Sequence, residues 1–287
     1  MGMRRTIILG VLLVLSLIVI TPLMFLYFDS RQVIDRSGEY VALGSSYAAG
    51  PGLGDALDGS PTMCRRTTGG YPERLAPMLG MHHVNNSCSG ATAEDVVRGG
   101  QFFLGPQVEV VGPDAKLVTI TTGGNDVAFV GDMMALTGTL GWYGWLYGSD
   151  IAPLEDRDFA SARDYLVESV AAVRKRAPDA VVMLVTYPTI LPPEGTCAQL
   201  GLDEDQAELF RQIEARLLQV TREAAAASGA MLVDVAELSR ASNSCADDPW
   251  IAGATGGEAA FHPTQTGAQG VADAIFAAWE ARAQPAE

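Results

Sequence analysis

A chain of 287 residues, 48% hydrophobic and 18% charged, carries ample apolar material for a core; with the first 28 set aside, it suits one α/β domain better than two. Thirty-four acidic residues against 19 basic ones give a formal net charge of −15, a surface that repels phosphates and argues against nucleic acid as a partner. The same charge opposes docking on anionic headgroups, so any lipid contact has to be apolar.

In chain order, Thr6 to Phe28 is a 23-residue run without a charge, behind Arg4 and Arg5. At ~1.5 Å per helical residue it is long enough for a hydrocarbon core of ~30 Å. The expectation is a transmembrane signal anchor over residues 1–28, a linker over 29–38 and one domain over 39–287 outside the cytoplasm. Secretion after cleavage is the alternative, but no small-x-small site follows the run.

Glu39 to Gly44 reads as a buried strand that ends in the turn Gly44-Ser45-Ser46, with a Gly/Pro-rich loop from Gly50 to Gly59 behind it. Helical patterns cover Tyr71 to Leu79 and Ala91 to Arg98, and Lys116 to Thr121 is a second strand. Asp158 to Arg176 spaces Phe159, Leu166, Val170 and Val173 along one helix face. The strand Ala180 to Thr186, the long helix Asp203 to Ala227, a short strand Ala230 to Val235 and the helix Gln265 to Arg282 complete the chain. Strands alternating with helices predict a mostly parallel sheet between helical layers, with ligands bound beyond the carboxyl ends of the strands.

Cys64, Cys88, Cys197 and Cys245 are an even set in a domain expected outside the cytoplasm, which reads as two disulfides. Three pairings are open; Cys64–Cys88 and Cys197–Cys245 each close a local loop. Without C-x-x-C and with three histidines, no metal site or other cofactor is expected.

Four short blocks carry chemistry, and each has a plainer reading as a turn or a cap. Ser46 sits where strand one gives out. Ser87 to Thr92 is a small-residue turn that opens a helix and exposes peptide N–H groups. Gly123-Gly124-Asn125-Asp126 follows the second strand, where an Asn amide could donate to a developing oxyanion. His262, before Pro263, is placed as a general base, whereas the adjacent His82 and His83 read as surface residues.

Together, in this order, the blocks resemble the SGNH (GDSL-type) hydrolases, and within them actinobacterial secreted esterases and lipases. Those show an A-L-G-[D/S]-S-[Y/F]-x-A-G-P opening, an S-C-S-G-A-T turn and a G-G-N-D-V loop. The resemblance covers most of Glu39 to Arg282 and is specific at the four blocks. It implies a flavodoxin-like three-layer α/β/α sandwich of about five parallel strands. It also implies ester hydrolysis with Ser46 as nucleophile, His262 as base, and an oxyanion hole from the Ser46 N–H, the Gly90 N–H and the Asn125 side chain.

Two departures stand out. Ser45 replaces the usual Asp before the nucleophile. The family's acid, three residues before the histidine, is Ala259. Orientation of His262 would then fall to the Ala259 carbonyl, as in Ser-His dyads of this family, with Glu258, Asp247 or Asp248 as alternatives. The aromatic stretch Gly141 to Gly148 suits either an acyl-binding rim or a small satellite core. The expected substrate is a small-molecule or lipid ester. A cell-surface binding protein that kept the fold and lost the acid is the rival reading. Nucleotide binding at Gly50 to Gly54 is disfavoured by the missing G-x-G-x-x-G spacing.

Overall fold

The alternation of strands and helices builds a sheet of five parallel strands in the computed structural model, which describes residues 2–31, 34–141, 144 and 151–282, with side chains omitted at 1–15 and 256–258. The strands are β1 (Tyr40–Gly44), β2 (His83–Asn85), β3 (Leu117–Thr121), β4 (Val181–Val185) and β5 (Met231–Val233). Their spatial order is β2-β1-β3-β4-β5 and every neighbouring pair is parallel. This agrees with the expected flavodoxin-like fold.

The helices are α1 (Gly2–Asp29), α2 (Ser46–Ala49), α3 (Tyr71–Leu79), α4 (Ala93–Arg98), α5 (Phe129–Leu136), α6 (Phe159–Arg176), α7 (Glu204–Ser228), α8 (Val235–Ser239) and α9 (Gln265–Ala281). Because side chains alternate along a strand, Val41 and Leu43 join Leu166 and Val170 of α6 and Phe210 and Ile213 of α7 in one core. Tyr40 and Ala42 face the other way, into a second core with Tyr71 and Leu75 of α3 and Val271 and Ile275 of α9. All five residues of β1 and of β3 are buried, the pattern of a sheet covered on both faces. Each large side chain so buried stabilises the fold by about 1.5–3 kcal/mol relative to leaving it in water.

Local chemistry sets where the helices begin. The Asp203 carboxylate accepts the Gln206 N–H at 2.8 Å while the Gln206 side chain accepts the Asp203 N–H at 3.0 Å, a reciprocal cap on α7. Thr264 caps α9 in the simpler way, its hydroxyl accepting the Gly267 N–H at 3.0 Å.

The uncharged run expected to cross a membrane lies in α1. Among the described residues, no helix is long and apolar enough to do so, so the structure gives the expected anchor no support. The end of α1 rests on the domain, where the Asp29 carboxylate accepts the Thr62 N–H at 2.8 Å. The aromatic residues at 142, 143, 145 and 147 lie outside the described residues.

Two disulfides, Cys64–Cys88 and Cys197–Cys245, are the two local pairs. Sequence periodicity misses β2, a three-residue strand of His, Val and Asn with no alternation to read, and α5, which follows the Asn125 loop.

Candidate active site

Parallel register brings the two turn motifs to one edge. Gly44, the last residue of β1, pairs with Thr121, the last of β3, so Ser45-Ser46 and Thr122 to Asn125 leave the sheet side by side. Gly44 has φ +129°, and a Cβ there would stand 2.1 Å from the Thr121 carbonyl oxygen. Only glycine lets the strands meet this closely just before the turn. The Gln107 side chain closes the turn from the other side: its Oε1 accepts the Gly44 N–H at 2.7 Å and its Nε2 donates to the Gly44 carbonyl at 3.0 Å.

Ser46 opens α2, and its Oγ lies 2.8 Å from Nε2 of His262, which arrives from the loop before α9. Both side chains are nearly buried, Ser46 at 8% exposure and His262 at 7%. Nδ1 of His262 lies 2.7 Å from the carbonyl oxygen of Ala260. A carbonyl only accepts, so in the neutral ring Nδ1 carries the proton and Nε2 is left as the acceptor facing the serine hydroxyl.

The expected partner, Ala259, is corrected by one residue. The Ala259 carbonyl accepts the backbone N–H of His262 at 3.0 Å instead. Phe261 adopts a left-handed φ of +56°, which turns the chain so that the carbonyl before it, not the one before that, faces the ring. Asp247 and Asp248 are exposed, and among the described residues no carboxylate bonds the imidazole. The side chain of Glu258 lies outside the described residues.

Burial is the main cause that lowers the His262 pKa, to about 4; the Ala260 bond opposes it and the charge of Arg65 adds to it. The ring therefore stays a neutral base well below the usual histidine range.

The Ser87 to Thr92 turn is fastened to the same edge. The Cys88 N–H donates to the Gly44 carbonyl at 2.9 Å and the Ser89 N–H to the Cys64 carbonyl at 3.0 Å. Asn125 donates through Nδ2 to the Ala91 carbonyl at 2.8 Å, and the Asp126 carboxylate accepts the Ala93 N–H at 2.9 Å. Burial raises the Asp126 pKa to about 6 against the pull of that bond. Gly90 has φ +82°, and among the described residues neither its N–H nor that of Ser46 has a hydrogen-bond partner. Asn125 keeps its second amide hydrogen.

Sequence reasoning misses the support beneath these groups. Tyr187, after β4, places its hydroxyl 2.8 Å from Ser45 Oγ and accepts the Gly124 N–H at 3.3 Å, so it spans both turns. Ser45 thus fills the place of the customary aspartate with a neutral hydroxyl pair. The partly buried Glu214 of α7 accepts the Ile190 N–H at 2.6 Å, and desolvation raises its pKa to about 8. No motif flags Gln107, Tyr187 or Glu214, because each meets its partner across at least 24 residues.

No group of three or more His, Cys, Asp or Glu side chains suited to a metal occurs among the described residues. The cysteines are all in disulfides.

A sequence model of the GDSL-like lipase/acylhydrolase family matches residues 42–269. The chain is 34% identical over 218 residues to Lipase 2 of Streptomyces coelicolor, covering 72% of each sequence. It is similar to the crystal structure of an extracellular lipase from Streptomyces rimosus, with a TM-score of 0.64 and 30% identity over 83% of this chain and 98% of that one. Phospholipase A1 from Streptomyces albidoflavus gives the same TM-score at 26% identity, over 84% and 99% of the two chains.

Proposed function

The chain belongs to the GDSL-like lipase/acylhydrolase family and is a carboxylic ester hydrolase, and from this premise we propose that Ser46 and His262 carry the reaction as a dyad oriented by the Ala260 carbonyl. The observation that carries this reading is the continuous line from Ser46 Oγ to Nε2 at 2.8 Å and from Nδ1 to the Ala260 oxygen at 2.7 Å.

In the proposed sequence, Ser46 Oγ attacks the ester carbonyl carbon as its proton passes to Nε2 of His262. The carbonyl oxygen becomes an oxyanion that receives hydrogen bonds from the Ser46 N–H, the Gly90 N–H and the Asn125 amide. Among the described residues both backbone donors lack another partner, which supports this assignment. Collapse breaks the bond to the alcohol, which leaves with the proton held on Nε2. Water then loses a proton to Nε2, attacks the acyl group, and releases the acid while the proton returns to Ser46.

The positive charge that His262 takes on is met by a peptide dipole rather than a carboxylate. Asp247→Asn and Asp248→Asn should accordingly leave most of the activity in place.

Residues 39–287 form the catalytic domain in this reading, with residues 1–28 ahead of it and 29–38 between them; the family match over residues 42–269 supports that division. Two disulfides, and the extracellular nature of the S. rimosus lipase, support a site outside the cytoplasm. Anchoring of the first segment rests on its uncharged sequence behind Arg4 and Arg5 alone.

The test is hydrolysis of p-nitrophenyl esters from acetyl to palmitoyl by the full chain beside its Ser46→Ala variant. Loss of turnover in a folded variant is expected; wild-type turnover would overturn the assignment of the nucleophile. The chain-length profile then separates short acyl esters from lipids.

A further inference from the structure

Tyr47 follows Ser46 directly in α2 and is almost fully buried. Its ring lies between two others, 4.2 Å from Tyr187 and 5.5 Å from the imidazole of His262, centroid to centroid. Its hydroxyl donates to the carbonyl oxygen of Phe261 at 2.6 Å. Phe261 is itself wholly buried and holds a φ of +56°, a conformation that a large side chain keeps only where its surroundings over-determine it.

That carbonyl belongs to the peptide group whose nitrogen is the His262 amide. The N–H at the other end of the same peptide donates to the Ala259 carbonyl at 3.0 Å. The peptide plane between Phe261 and His262 is therefore held at both ends, and the direction in which His262 projects is set by that plane.

We propose that Tyr47 is a positioning residue for the hydrolysis: its hydroxyl fixes the carbonyl of the left-handed Phe261 and so keeps Nε2 of His262 within reach of Ser46. The proposal rests on the reading of Ser46 and His262 as the reacting pair. It adds a structural economy, since one short segment supplies both the nucleophile and, one residue later, the brace for its base. The ring also packs against the imidazole, so the base is constrained through the backbone and across its side.

Removing only the hydroxyl separates this role from core filling. In Tyr47→Phe, kcat for a p-nitrophenyl ester should fall on the order of 10- to 100-fold with KM within about twofold, because a misplaced base costs rate and leaves binding of the ester alone. Its acid limb in the pH profile should rise, since a ring freed to tilt out of its buried seat regains solvent.

Two further replacements at position 47 keep the packing. 4-Fluorophenylalanine fills the hydroxyl's space without a donor and should be as impaired as phenylalanine. 4-Aminophenylalanine restores a donor and should recover most of kcat.

A phenylalanine or 4-fluorophenylalanine enzyme with kcat within twofold of wild type and an unmoved acid limb overturns the proposal, whatever its melting temperature does. Ser46→Ala, measured beside them, separates the two levels. Turnover that survives in Ser46→Ala overturns the reacting pair and this proposal with it. Turnover lost in Ser46→Ala but kept in Tyr47→Phe overturns the role of Tyr47 alone.

Discussion

Acidifying the enzyme from pH 8 to pH 3.5 tests the environment of His262 directly. The structure lowers its pKa from the ordinary 6.5 to about 4, chiefly by burial. At 1.36 kcal/mol per unit, that shift corresponds to about 3 kcal/mol of preference for the neutral ring. At pH 5 an exposed histidine would be neutral in roughly 3% of molecules, whereas one with a pKa near 4 is neutral in about nine-tenths.

The kcat/KM profile of a non-ionising ester reports the free enzyme, and its acid limb is expected near the His262 value of about 4. Folding follows the same group. The native pKa lies below the unfolded one, so the unfolded chain binds more protons between about pH 6.5 and pH 4, and stability present above that window is lost as pH falls through it. Circular dichroism at each pH separates loss of fold from loss of base. An inflection near pH 6.5 in a folded enzyme would refute the buried, carbonyl-bound imidazole.

Gly44→Ala puts a Cβ 2.1 Å from the Thr121 oxygen at a φ of +129° and has no relief in a flexible side chain; it should destabilise the fold by several kcal/mol in urea unfolding, an exceptional cost for one methyl group. Glu214→Gln acts in the opposite sense at alkaline pH. Its folded pKa of about 8 stands above the ordinary carboxylate value, so the wild type loses stability as pH rises through that range, and the variant should gain on it in unfolding measured from pH 5 to pH 9.

The four blocks were legible because each is local: a nucleophile at the end of a strand, an Asn loop, a capped turn and a histidine before proline are contiguous in sequence. The sheet was legible for a related reason, since β1 and β4 are nearly continuous apolar runs. The orienting carbonyl was not. Ala259 and Ala260 are indistinguishable as residues, and the choice between their carbonyls depends on the left-handed turn at Phe261, a residue whose type gives no hint of positive φ. Tyr187 was equally hidden, because its hydroxyl meets Ser45 across 142 residues and Gly124 across 63. Gln107 reaches Gly44 in the same long-range way.

The Cys64–Cys88 bond ties the turn that holds Gly90 to the loop that follows α2. Cys88 lies two residues before Gly90, and Cys64 accepts the neighbouring Ser89 N–H through its own carbonyl. The turn is also held without that bond, since the Cys88 N–H donates to the Gly44 carbonyl at 2.9 Å and the Asn125 amide to the Ala91 carbonyl at 2.8 Å. A crosslink across 24 residues of sequence adds a covalent restraint to those hydrogen bonds. Ester turnover measured with and without a thiol reductant reads how much of the turn's order rests on the covalent tie.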